Sequence, residues 1–254
     1  MKIEYAMLIA ILSFSSVQLM AQDFPVKQRW SYYGEPYVML PNISGKTAIG
    51  NLSEMYVDAD PHQIFDNLKL GVMLYFEASN GKWNLNSDLL YMNVGKGVKS
   101  STLISNGEVS AKQLGWELAG LYKIRPWLEV GVGGLLNSIK VGLDINRNNI
   151  SGGTANIKKE TSEIWFDPML IAVFKNTPDK GFIYSARAEI GGFGLGSQFA
   201  LQLQAYAGYR FSKLLQIQGG YRLISLDYRT GSGSDYFLYN MDTYGPVIKF
   251  GFHF

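Results

Sequence analysis

The 254-residue chain contains no cysteine. That excludes disulfides, thiolate metal sites, a thiol nucleophile and a lipid anchor on cysteine. Histidine is nearly absent too: there are two, His62 and His253. An excess of either charge sign is lacking as well, with 23 basic and 21 acidic residues. The net charge is +2, so no nucleic-acid partner is expected. Outside the N-terminus no apolar run is long enough for a membrane-spanning helix.

Tyrosine (16), phenylalanine (14) and glycine (28) are abundant instead, a mix suited to strands, interfacial aromatic belts and tight turns. Residues 1–21 read as an export signal. Lys2 supplies a positive charge, Ala6 to Leu12 opens an apolar core, and Ala21 is a cleavage point. Glu4 offsets Lys2, and Leu19 is larger than usual two residues before the cut. The alternative is an uncleaved anchor, but Ser13, Ser15, Ser16 and Gln18 interrupt the short run. Residues 22–254 then form one domain.

Its last nine residues are the most informative. Ile248, Phe250, Phe252 and Phe254 alternate with Val247, Lys249, Gly251 and His253. Such a strand has one aromatic face and one small or polar face. A greasy edge invites aggregation in water, whereas a strand closing a barrel in lipid has a use for both faces. The same alternation recurs at 68–78, 114–122, 182–190 and 199–211, each time with polar or charged residues on the second face, and more weakly at 83–94, 128–142, 162–174 and 215–229. At Ile224, Leu226 and Tyr228 the phase reverses, which predicts a bulge or the end of the lipid zone.

Connections alternate short and long. The short ones are 79–82, 124–126, 176–180 and 212–214; the long ones are about 95–108, 146–160 and 230–241. Outer-membrane barrels have short periplasmic turns and longer outer loops. Nine strands are expected from Leu68 onward. An even total then requires an odd number before it, while 30–40 and 46–58 look like two strands: either one spans, giving about ten, with 46–68 crossing over the top or folding into the mouth, or one bends or pairs twice, giving about twelve. The expected fold is all-β: a closed antiparallel transmembrane barrel of about ten strands (range 8–12), with a short helix near 60–67.

Several stretches, taken in order, resemble a widespread family of Gram-negative outer-membrane β-barrels in the style of small OmpA- and OmpW-like proteins. They are Leu40-Pro41-Asn42-Ile43-Ser44-Gly45 through Tyr56-Val57-Asp58; Phe76-Glu77-Ala78 with Gly81-Lys82-Trp83; Trp165-Phe166-Asp167-Pro168; Gly208-Tyr209-Arg210-Phe211; Gly220-Tyr221-Arg222; and Tyr244-Gly245-Pro246. The resemblance covers nearly the whole chain after residue 21. It implies the barrel fold and an outer-membrane location, and it brings no enzyme activity with it. The partners of such a protein are outer-membrane lipid and lipopolysaccharide, and the assembly machinery that reads an aromatic last strand, here Phe250, Phe252 and Phe254.

By alternation the lumen receives Glu77, Asp88, Glu117, Glu129, Asp167 and Glu189 together with Arg187, Arg210, Arg222 and Lys249. Desolvated charges need partners, so these residues read as a salt-bridged filling. The competing reading is a narrow water-filled pore tuned by its charges. Arg222 is expected opposite Gln204, with Lys249 approaching it. Asp58, Asp60, His62 and Asp66 suggest a metal site, but Asp60 as N-cap, Pro61 at N1 and Gln63 at N3 explain more as a helix start; no metal or cofactor is expected. Neither histidine lies in a hydrolase motif, so catalysis would need carboxylates alone, on Asp88, Glu117 or Glu189. Gly191 to Gly196 lacks the Lys and Ser/Thr of a phosphate loop and reads as an outer hairpin. Basic residues Lys96, Lys99, Arg147, Lys158 and Lys159 suit lipopolysaccharide phosphates or simple solvation. The expected role is a non-enzymatic envelope barrel, structural or a narrow passive pore; a lipid-modifying enzyme and a surface binding protein are the alternatives.

Overall fold

The computed structural model describes residues 30–51, 53–97, 104–148 and 154–254. The expected export segment, and the basic residues Lys99, Arg147 and Lys159 as side chains, lie outside what is described. The strands are β1 (Ser31–Met39), β2 (Asn42–Ile49), β3 (Met55–Ala59), β4 (Leu68–Ser79), β5 (Trp83–Gly97), β6 (Ile104–Arg125), β7 (Leu128–Asn148), β8 (Thr154–Lys175), β9 (Gly181–Gly191), β10 (Phe199–Arg210), β11 (Leu215–Thr230) and β12 (Phe237–His253). Helix α1 (Pro61–Asp66) precedes β4. Strands β4 to β12 pair each with the next, all antiparallel, and β1 pairs with both β4 and β12. The ring is therefore closed by ten strands, as the alternation and parity implied.

The N-terminal segments differ in detail from expectation. β1 and β2 lie end to end along β12 in one register: Met39 faces Val247 and Asn42 faces Tyr244. The chain kinks at Leu40–Pro41, where Leu40 N–H still donates to Pro246 O at 2.9 Å. β1 leaves β4 after the pair Pro36–Leu74, and β3 takes the place beside β2. Residues 46–58 thus form a hairpin in the wall itself. Pro41, which lacks an N–H on the side away from β12, stands at the break between β1 and β2.

The expected long connections are also largely strand. The β6–β7–β8 ladder runs on to Asn148 and Thr154, through Glu108–Asp144–Lys158 and Asn146–Asn156. The outer face of this ladder is polar, with Lys140, Asp144, Lys158 and Glu160, so it lacks the apolar lipid-facing side that marks the spanning strands. The bulge expected at 224–228 is absent; β11 holds one register with β12 from Leu215 to Thr230 and with β10 from Gln216 to Asp227. The irregularities fall instead at Leu68/Leu70, Ile104/Asn106 and Lys123/Arg125.

The helix forms as its capping sequence dictates. Asp60 accepts from Gln63 N–H at 2.8 Å, Pro61 starts the helix, and Ile64 is buried. His62 pairs with Asp66 one turn later at 2.9 Å rather than converging on Asp58 and Asp60.

The barrel is apolar outside. Val132, Ile164 and Phe182 are each more than 60% exposed, and Leu70, Leu85, Leu118 and Leu170 more than half. On β8 the outward apolar residues run from Ile164 to Phe174. Ten steps of about 3.3 Å on a strand tilted about 40° give roughly 25 Å, the height of a lipid-facing band. Aromatics ring the end that carries the short turns: Tyr32, Phe76, Trp83, Tyr122, Trp127, Phe174, Tyr184 and Phe254 touch one another in pairs there. Phe254 belongs to this ring, and its N–H and C=O both pair with Tyr32 at 2.9 and 2.8 Å.

Candidate functional site: the filled lumen

The inward faces build three levels. Nearest the loop end lies an apolar cluster. Trp165 stacks on Tyr228 (ring centroids 4.1 Å, interplanar 5°), and Tyr239, Phe237, Met241, Leu226 and Leu135 pack around them. This explains the apparent phase reversal in β11. Ile224, Leu226 and Tyr228 face inward as their parity with Arg222 requires, and the lumen itself turns apolar at that height.

Beside this cluster Asp167 is fully buried and has no cation partner among the described residues. It accepts from Asn137 Nδ2 (2.9 Å), Trp165 Nε1 (3.0 Å), Ser197 Oγ (2.8 Å) and Ser197 N–H (2.5 Å). These bonds pin the Gly192–Gln198 loop against β8, whose next ladder position lost its partner when β9 ended. Gly196 is required there, because a Cβ would lie 2.2 Å from Phe166 O. Asp167→Ala is expected to cost about 1–3 kcal/mol, since several buried donors lose their acceptor. Limited proteolysis at 192–198, accelerated in the variant, checks it.

The middle level is a belt of charge. Arg222 bonds Asp88 (2.9 Å), Tyr37 OH (2.8 Å) and Gln202 Oε1 (2.7 Å). Gln202 Nε2 donates to both Glu117 and Glu189 at 3.1 Å. Arg187 bridges the same two carboxylates and reaches Asn86. Tyr37 OH donates to Asp88 at 2.8 Å. Asp88, Glu117, Glu189 and Arg222 are all below 10% exposed.

Toward the turn end a second tier follows. Lys175 pairs with Glu77 (3.0 Å) and Glu129 (3.2 Å); Lys249 pairs with Glu35 (2.7 Å) and lies 4.0 Å from the centre of the Tyr206 ring. A Cβ on Gly220 would sit 2.5 Å from Tyr206 Cδ1, so the missing side chain makes room for that ring. Every one of the ten strands of the ring supplies at least one member of these two tiers. Below them opens a vestibule of about 720 Å³ at the turn end, reaching from Arg187 and Lys249 down to Arg210 and His253.

Of the ten lumen residues expected, eight enter the ion-paired tiers. Asp167 stands apart with the loop anchor. Arg210 meets no acid among the described residues; it donates to the backbone oxygens of Ser212, Lys213 and Pro178 at the rim. Arg222 does face Gln204, but Lys249 faces Gln218 and binds Glu35 rather than approaching Arg222 as a partner. Sequence reasoning missed Glu35 and Lys175. Both were legible as parity: Glu35 lies between Tyr33 and Tyr37 on one face, and Lys175 continues the face of Asp167, Ile171 and Val173. Each carboxylate weighed as a catalytic group is ion-paired with an arginine in this arrangement: Asp88 with Arg222, while Glu117 and Glu189 share the single Arg187. Phe250, Phe252 and Phe254 all face outward at 40% exposure or more.

No family model matches the chain, and no curated protein matches it. Solved outer-membrane proteins are similar in outline. Ail, the attachment invasion locus protein of Yersinia pestis, aligns at 11% identity and TM-score 0.38, over 89% of this chain and 98% of its own. The P. putida toluene transporter TodX aligns at 9% and 0.39, over 89% and 90%. The outer membrane protease OmpT from Escherichia coli aligns at 7% and 0.45, over 92% and 99%. At such identities none of their activities passes to this chain. The closed barrel agrees with the architecture that the sequence motifs implied.

Proposed function

We propose that the chain is a non-conducting, non-enzymatic barrel of a Gram-negative outer membrane, an envelope protein spanning lipid with its short turns in the periplasm. The apolar exterior, about one bilayer core tall and ringed by aromatics, supports the location; in water it would be an apolar surface far beyond what monomers leave bare. The observation that carries the closed state is the paired belt. Arg222, Asp88, Gln202, Glu117, Arg187 and Glu189 join across the axis from both sides, and the Trp165 cluster lies over them. An open pore keeps its charges in water; here they are desolvated and spent on one another.

A second reading, surface binding, has one observation of its own. β6, β7 and β8 are 21 or 22 residues long, about twice what crossing needs. Their excess projects beyond the lipid band and carries Lys140–Glu160 and Lys69–Glu108 pairs on its outer face.

Conductance tests the closed state. Purified protein inserted into planar bilayers is expected to give no stepwise current in up to 1 M salt. Steady single-channel steps from the unmodified protein would refute the closed lumen.

A further inference from the structure

The short turns carry a charge pattern that the closed lumen does not use. Each has one cation: Lys82 at 79–82, Arg125 at 124–126, Lys180 at 176–180 and Lys213 at 212–214. Asp179 is the one acid in these four segments. All four cations are exposed, and none pairs with an acid among the described residues. The loop end is the opposite in kind. There Lys46, Lys69, Lys140 and Arg229 each pair with an acid: Glu54, Glu108, Glu160 and Asp227. A row of one sign without counter-charges of its own sets up a positive potential along the turn rim.

The neighbours of these cations are as regular. Each lies within two residues of an outward aromatic: Lys82 beside Trp83, Arg125 before Trp127, Lys180 before Phe182 and Lys213 after Phe211. Those four rings are 46–62% exposed. Each also touches another ring, Trp83 with Tyr122, Trp127 with Phe174, Phe182 with Tyr184 and Phe211 with Tyr209. Lys82 Nζ lies 5.9 Å from the centre of the Tyr122 ring. Interfacial aromatics sit at headgroup level, and a lysine or arginine one step beyond them extends to the phosphates. The turns join β4 to β5, β6 to β7, β8 to β9 and β10 to β11, successive hairpins around the rim. Neighbouring turns are two strands, roughly 10 Å, apart, so each cation meets its own headgroup.

We infer that the turn end is a docking surface for anionic glycerophospholipids, whose phosphates take Lys82, Arg125, Lys180 and Lys213. The unpaired charge of the rim selects anionic over zwitterionic headgroups. Its continuity with the lipid-facing aromatics selects a lipid over a soluble polyanion. The inference rests on the lipid-spanning reading but not on the closed lumen.

The experiment is tryptophan quenching of the full chain in phosphatidylcholine vesicles, with Trp83 and Trp127 standing beside two of the cations. The quencher is brominated phosphatidylcholine or, at the same fraction, brominated phosphatidylglycerol. Quenching by the first reports insertion in lipid. The second is expected to quench as though enriched about fivefold at the protein, the effect of one lysine at an anionic surface. Salt at about 1 M is expected to remove the enrichment by screening. The combined variant Lys82→Gln, Arg125→Gln, Lys180→Gln, Lys213→Gln is expected to lose it, and Lys82→Arg with Lys180→Arg and Lys213→Arg to keep it. Equal quenching by the two lipids, or enrichment that survives the glutamine variant, overturns the proposal and leaves the location standing. Quenching by neither lipid overturns the location as well. Polyglutamate binding in detergent that the glutamine variant loses, with no lipid preference beside it, would make the rim a surface for an acidic protein and also overturn the proposal.

Discussion

Arg187→Ala is expected to destabilise the barrel by about 3–5 kcal/mol, the usual cost of removing one partner from a buried ion pair. Arg187 is the cation shared by Glu117 and Glu189, both under 4% exposed. Without it two carboxylates face each other across Gln202 with no positive charge in contact. The sign of the double variants is informative. Adding Glu117→Gln to Arg187→Ala removes one orphaned charge and is expected to recover part of the loss, although Glu117→Gln alone is destabilising. Urea unfolding in detergent or lipid, followed by tryptophan fluorescence, gives all four corners of the cycle. A loss below about 1 kcal/mol for Arg187→Ala would mean that water already solvates these carboxylates. The lumen would then be wet, and the closed reading would fail with it.

Leu170→Arg is expected to cost about 2–4 kcal/mol in a bilayer, and Phe174→Arg only about 0–1, because the penalty for an arginine on a barrel's lipid face depends on depth. Leu170 lies outward on β8 near the middle of the apolar run from Ile164 to Phe174, beside Val132 and Ile190 on the neighbouring strands. Phe174 lies in the aromatic ring, against Trp127 and Tyr184. Both side chains are already more than 40% exposed, so in water neither change would desolvate a charge. A depth-dependent cost therefore reports lipid and not packing. Reversible unfolding from vesicles measures it. Equal, small effects at both positions would count against a membrane around this face.

The barrel was legible in the sequence wherever one face met lipid and the other met the lumen. β9, β10 and the last nine residues of β12 alternate without a fault, β4 does so beyond its irregularity at Leu68/Leu70, and the shortness of alternate connections set the strand sense. Legibility ended where that contrast ended. The outer halves of β6, β7 and β8 are polar on the outer face, so the ladder from Glu108 through Asp144 to Lys158 looked like loop. Ile224, Leu226 and Tyr228 looked out of phase because the lumen at that height is as apolar as the exterior. Lumen charges were predicted by parity, but their pairing was not. Which arginine meets which acid depends on the shear of the ring, which no single strand encodes. Arg210 illustrates the limit: its parity is that of a lumen residue, yet its place at the last step of β10 leaves it bonded to its own turn.

The shared register of β1 and β2 along β12 bears on how the ring comes together. All other neighbours in the ring are consecutive in the chain or, for β1 and β4, separated by one excursion. The closing seam instead joins Tyr33 to His253, and Ile49 to Phe237. Loop-closure entropy places such distant contacts late in assembly, after the nine-strand ribbon from β4 onward has formed. Pro36 and Pro246 stand at this seam at positions whose N–H would face across it, and so remove donors from it. The last hydrogen bonds to form are therefore also the sparsest, and thermal opening is expected to begin by unzipping there, long before the lumen of charges lets go.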